Sequence, residues 1–285
     1  MAVLEELYPA NTAEPWDSVG LICGDPAQPV RKILLALDVT QATVQEAVDC
    51  QADLLITHHP LFLRPVHSVA ADTWKGKLVH QLIQAGCALF NAHTNADIAL
   101  GGVNEALSQR LGLRDTEVLI PRGDLQTSPM PHTGLGRVGN LPTAMSFLQL
   151  GELVARVLPG AAQGVRLAGN LTQQVQRIAV VGGSGDSTFQ AVRDSGAQVV
   201  LTSDLRHHPV SELREQALFA GSKQGQPAWP FVIDVAHYSS ETPWLGVLAD
   251  IMQQKYFSQS QVAVQLSQVN TDPWTAQLAC PTNIN

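Results

Sequence analysis

Leu54-Leu55-Ile56-Thr57-His58-His59-Pro60 decides how the rest of the chain is read. A short apolar run that ends in two adjacent histidines and a proline reads as a buried strand stopping where its side chains turn polar. Side chains alternate between the faces of a strand, so both imidazoles can meet one ligand cluster only if the strand has already ended. Pro60 helps to end it. Two consecutive histidines are awkward ligands for one ion, whereas two neighbouring ions could take one imidazole each. The stretch points to a dinuclear metal site.

Ligands of open α/β sheets bind beyond the carboxyl ends of the strands, so other donors are sought there. Ala88-Leu89-Phe90-Asn91-Ala92-His93 is a second apolar run ending in histidine, with Asp97 four residues on. Phe231-Val232-Ile233-Asp234-Val235-Ala236-His237 is a third, with Glu241 at the same spacing. A separation of four puts both groups on one face of a helical turn. Pro243 and the small residues around Glu241 favour a turn over a long helix.

The elements around these runs read as α/β. A short N-terminal helix leads to a Gly-, Pro- and Asp-rich stretch, Ala13 to Pro26, which reads as a structured loop. Ile33 to Leu37 is the first strand, wholly apolar and therefore central and parallel. Thr40 caps a helix through Val44 and Ala47 that returns to the histidine-bearing strand, giving a βαβ unit. Leu78 to Ala85 is a helix closed by Gly86, and Val103 to Leu111 another. Leu119 to Leu141, with Pro121, Pro129, Pro131 and several glycines, reads as loop and domain boundary, and Ser146 to Leu158 as a helix. Setting Ile178 on Ile33, 145 residues apart, matches strand to strand and Thr188, Asp194, Ala197 and Thr202 to Thr43, Asp49, Ala52 and Thr57. The fold class expected is α/β: two related α/β domains from an internal duplication, facing each other across a metal-bearing cleft. The first spans 1–120 and is completed by 230–285; the second spans 121–229.

Composition bounds the function. The 285 residues carry 17 Lys and Arg against 25 Asp and Glu, a net charge of -8 that disfavours generic nucleic-acid or anionic-membrane binding. Cys23, Cys50, Cys87 and Cys280 form no C-x-x-C pair, so neither a zinc ribbon nor a disulfide framework is indicated. The acidic start is no export signal, and no apolar run approaches the ~20 residues of a membrane-spanning helix. A cytoplasmic protein is expected.

Histidine with aspartate and glutamate, and no thiolate, suits zinc, iron, manganese, cobalt or nickel. A bridging carboxylate such as Glu241 or Asp97 would leave coordination positions for water, which is hydrolytic machinery. The bland alternative for His58 and His59 is a strand-end pair satisfied by backbone groups. His93 reads either as a residue that orients a carboxylate or moves a proton, or as a cap on its strand. His207 and His208 read as substrate contacts or as a solvated loop pair; Asp38 and Asp234 lie at strand ends but are not assigned as ligands. Gly182-Gly183-Ser184-Gly185 lacks the spacing of a dinucleotide or P-loop motif and reads as a tight turn.

Trp16-Asp17-Ser18-Val19-Gly20-Leu21, Thr57-His58-His59-Pro60, Ala92-His93-Thr94-Asn95-Ala96-Asp97, Gly134-Leu135-Gly136-Arg137-Val138-Gly139, Val181-Gly182-Gly183-Ser184-Gly185 and His237-Tyr238-Ser239-Ser240-Glu241 follow in this order. Together they resemble the Nif-three-like dinuclear metal-centre proteins, often labelled GTP cyclohydrolase 1 type 2 homologues. The resemblance implies two divalent ions per chain on His58, His59, Asp97, His237 and Glu241, and a toroidal homohexamer built as a trimer of dimers. Ser18, Ser203 and Ala236 depart from the usual Asn, Gly and Gly. The expected function is metal-dependent, hydrolase-like activity on a small, nucleotide-derived substrate, with His93 as a catalytic residue. The alternative is a non-catalytic hexameric scaffold, chaperone or regulator.

Overall fold

The computed structural model describes residues 1–122, 133–225 and 227–278. Over these the chain divides into two compact units, one of Met1–Ala106, Pro121–Leu135 and Thr242–Thr271, the other of Leu107–Ile120, Gly136–Glu241 and Asp272–Asn285.

In the first unit, α1 (Ala2–Leu7) precedes β1 (Gly20–Cys23), a strand inside the stretch expected to be loop. β1 pairs antiparallel with Phe90 and its neighbours, a partner far along the chain that local composition does not reveal. The glycine that suggested a loop serves the strand instead: Gly24 has φ +111, and a Cβ there would lie 2.5 Å from that of Ala88. β2 (Lys32–Ala36), α2 (Gln41–Asp49) and β3 (Leu54–Thr57) form the expected parallel βαβ unit. Thr40 caps α2 by accepting from Thr43 N while the Thr43 side chain returns to Thr40 N.

α3 (Trp74–Gln84) starts earlier than Leu78 because Thr73 caps it, and β4 (Ala88–Asn91) continues the sheet parallel to β3. Leu34, Leu55 and Leu89 from these strands form one core with Val44, Ala47, Leu78 and Leu82 of α2 and α3. Such strands, buried on both faces, are the reason their sequences run apolar without alternation. α4 (Thr94–Ile98) and α5 (Val103–Arg110) follow.

In the second unit, β5 (Arg114–Pro121) and β6 (Gly134–Ser146) occupy both flanks of the interval read as loop. β6 pairs antiparallel with residues 174–180, again a long-range partner. Residues 123–132, which hold Pro129, Pro131 and His132, lie outside the described residues. Ser146 caps α6 (Phe147–Val157) in a capping box with Gln149. β7 (Arg166–Ala168), β8 (Gln174–Ser184), α7 (Phe189–Asp194), β9 (Val199–Ser203), α8 (His207–Gln224) and β10 (Phe231–Val235) complete a six-stranded sheet of order β5-β6-β8-β9-β10-β7. β8, β9 and β10 run parallel. Phe147, Leu150 and Val154 of α6 pack with Ile178, Val199, Leu201, Phe231 and Ile233.

α9 (His237–Glu241) ends this unit, and the return to the first unit comes at Thr242. α10 (Pro243–Ile251) then packs on β2, and β11 (Ala263–Leu266) adds a parallel edge strand, giving the first sheet the order β1-β4-β3-β2-β11. Among the described residues no helix is long and apolar enough to cross a membrane.

Candidate metal centre

β3 stops at Thr57, whose hydroxyl donates to His59 O at 3.0 Å, while His59 N donates to Leu37 O at 2.9 Å. The backbone thus leaves the ladder where the histidines begin, and both rings can turn to one side. Their centroids lie 4.9 Å apart, and His93, just past β4, stands 5.3 Å from His58 and 5.8 Å from His59. One ring nitrogen from each of the three lies within 4.8 Å of the others.

Each ring is held through Nδ1. His58 Nδ1 meets Ala92 O at 2.9 Å, His59 Nδ1 meets Asp38 Oδ1 at 2.7 Å, and His93 Nδ1 meets Asp17 Oδ2 at 3.0 Å. A carbonyl oxygen can only accept, so Nδ1 of His58 is the donor and the lone pair of the neutral ring is at Nε2. That nitrogen faces Asp97 Oδ1 at 3.6 Å. Asp97 sits on α4, one turn from His93, whose carbonyl accepts from Asp97 N at 3.1 Å.

Asp17 is the most deeply set of these carboxylates, with its side chain 1% exposed. It accepts from His93, from Thr94 N at 3.1 Å and from Thr94 Oγ1 at 2.7 Å. Burial pushes its pKa up, but these hydrogen bonds outweigh burial and bring it down to about 2.

The second unit repeats the arrangement by itself. His237 Nδ1 meets Asp204 Oδ2 at 2.7 Å, and His237 Nε2 lies 3.1 Å from Glu241 Oε1, one turn along α9. In place of the short turn expected here, α9 is followed after Thr242, itself in the helical region, by α10, with Pro243 at its first position. Gly183, at φ +67, lets this pair close up: a Cβ there would lie 2.5 Å from Glu241 Oε1 and 3.2 Å from the imidazole. Ser240 Oγ donates to His237 O and accepts from Gly183 N, and Ser203 Oγ bonds to it at 2.9 Å. Ser203, a departure from the usual glycine, is thus a buried partner of the segment that carries His237 and Glu241.

Imidazoles fixed through Nδ1 by oxygen acceptors, with carboxylates at Nε2, are the donor set that first-row divalent cations take. The structure brings together His58, His59, His93 and Asp97 in the first unit and His237 with Glu241 in the second. It leaves His207 and His208 out: they are exposed in the first turn of α8 and belong to no such group, nor do they form a loop. Asp234 is structural, tying Arg166, Gln163 and Leu205 N together. Asp17, Asp38 and Asp204 were not foreseen as orienting groups. Position alone signalled Asp38, which ends the strand beside the histidine strand.

The two sheets and their strand-end imidazole and carboxylate donors define an α/β protein able to hold a divalent cation. The chain belongs to the Duf34/NIF3 (NGG1p interacting factor 3) family, which it matches over residues 1–273. A Streptomyces coelicolor protein named GTP cyclohydrolase 1 type 2 homolog is 44% identical over 283 residues, covering 98% of this chain and 93% of that protein. Among solved structures, a Bacillus cereus protein related to NIF3 aligns with TM-score 0.80 at 25% identity, over 96% of this chain and 97% of that one. A Staphylococcus aureus hypothetical protein aligns with TM-score 0.81 at 27% identity, over 97% of each chain.

Proposed function

We propose that this chain is a dinuclear metal protein with hydrolase-like activity on a small, nucleotide-derived substrate. His58, His59, Asp97, His237 and Glu241 are its metal ligands and His93 is a proton-handling residue. The observation that carries the reading is the common posture of the imidazoles, each secured at Nδ1 by an oxygen acceptor. Paired divalent cations at such donors would supply Lewis-acid activation of water near neutral pH. The chain's own part is to fix the rings, to keep His93 on Asp17 and to hold Glu241 against His237. The nucleotide class rests on the name of the Streptomyces relative. The parallel βαβ units β2-α2-β3 and β8-α7-β9 support an internal duplication. By family resemblance the assembly is a homohexamer, which light scattering tests.

Elemental analysis of protein purified without added metal tests the site. About two ions per chain are expected, with clear loss in His58→Ala and Glu241→Ala. Near-zero metal that zinc, iron or manganese does not restore overturns the reading. Metal retained without turnover of any nucleotide leaves the site standing and removes the hydrolase.

A further inference from the structure

Four aromatic rings of the first unit are linked by successive ring contacts. Trp244 is fully buried and stands 5.4 Å from His58; His58 stands 5.3 Å from His93; His93 stands 5.9 Å from Trp16. The last ring is 62% exposed. Trp74 and Trp274 are as exposed, at 63% and 67%; Trp16 calls for an explanation because its ring also touches that of His93.

A loose loop is not the explanation. Next in the chain is Asp17, buried and holding His93 and Thr94, while Glu14 N donates to Thr94 Oγ1 and Asp17 N to Glu14 O, both at 2.9 Å. Trp16 is therefore tethered on both sides and still presents its indole to solvent. Nor do its chain neighbours make it part of an apolar docking patch: Glu14, Pro15 and Ser18 are exposed and none is a large apolar side chain. Protein-binding patches run to several hundred Å², more than one indole provides.

We propose that Trp16 is a stacking platform for one planar nitrogen heterocycle, a purine, whose remaining atoms reach the His58, His59 and His93 rings. This rests on the nucleotide-derived substrate argued above. Trp16 and His93 meet edge to face at 5.9 Å rather than stacked, and the exposed indole still has ring face to offer a planar ring at the roughly 4.5–7 Å spacing of aromatic pairs. The indole and imidazole planes stand at 77°, so a base lying parallel to the indole would present its edge or face to His93 at that same angle. Stacking on tryptophan tolerates any base, so the platform selects purine over no base, and leaves choice among purines to other groups.

The test compares guanosine 5′-monophosphate with ribose 5-phosphate by calorimetry on the metal-loaded chain. Both carry ribose and a phosphomonoester; they differ by the purine. The parent is expected to bind the nucleotide about tenfold more tightly, with that preference lost in Trp16→Ala and kept in Trp16→Phe. Metal content is read in every variant, so loss of the metal site is recognised separately. Where Trp16→Ala disturbs His93, Trp16→Leu replaces it: a stacking role separates Phe from Leu, whereas simple shielding of His93 treats them alike. Equal affinity for the two probes in the parent overturns the proposal, as does a purine preference unchanged in Trp16→Leu. A change of oligomeric mass in Trp16→Ala with no change in purine preference would instead make Trp16 a contact between copies, and overturns it too.

Discussion

His58 is held by a backbone carbonyl, whereas His59, His93 and His237 are held by carboxylates, and only the latter can be removed by substitution. Asp38 accepts from His59 through one oxygen and from the Thr271 hydroxyl through the other, so both of its oxygens are committed to orientation. Asp38→Ala is expected to lower metal affinity 10–100-fold, measured by competition with a coloured chelator, and Asp38→Asn to recover part of it through its amide oxygen. Unchanged affinity in Asp38→Ala would remove Asp38 from the site. Asp17 makes a pH prediction. Its folded pKa of about 2 lies below the value of about 3.9 for an unfolded aspartate, so its stabilisation is complete above about pH 4 and fades as pH falls through 2. The melting temperature of Asp17→Asn should fall below the parent's at pH 7, and the gap should close on acidification. A gap independent of pH would show that lost shape rather than lost charge sets the difference. At this scale the histidines were legible, because strand ends concentrate donors. Their aspartate partners were not, because Asp17 and Asp204 meet His93 and His237 across 76 and 33 residues.

Elements were legible where their signals were local. Thr40 and Ser146 announce α2 and α6 through caps that lie within four residues of the helix they start. β1 and β6 were hidden because glycine reads as loop until the partner strand is known, and that partner is distant in both cases. Gly182 to Ser184, expected as a tight turn, lie within β8 where its register shifts, and Gly183 shows what such a glycine does. Gly183→Ala forces a left-handed φ on a residue with a Cβ, at about 1–2 kcal/mol, and pushes that Cβ into Glu241. Gly196, at φ +70 and with nothing within 4 Å of its would-be Cβ, is the matched control. Both alanine variants should lose stability in urea, Gly183→Ala the more because of its clash, but only Gly183→Ala should lose metal. Equal metal content in the two would mean that Glu241 has room to move and that the glycine answers only to its own backbone conformation.

For the molecule as a whole, the proposed donors are spread along the chain, from His58 and His59 through Asp97 to His237 and Glu241. An unfolded chain does not hold such a set together, so the free energy of metal binding becomes free energy of folding. A cation at 100 times its dissociation constant stabilises by about 2.7 kcal/mol. For a chain of this size that is a rise in melting temperature of roughly 4–5 °C. Protein stripped with a chelator should melt lower, recover on adding zinc, iron or manganese, and respond in proportion to the logarithm of free metal. Glu241→Ala should melt near the stripped parent and gain little from metal. The comparison that decides is the slope against metal, because removing a buried carboxylate changes stability by itself. A variant with the parent's slope would show that metal is held without Glu241, and a parent with no slope would show that the strand-end histidines serve the fold alone.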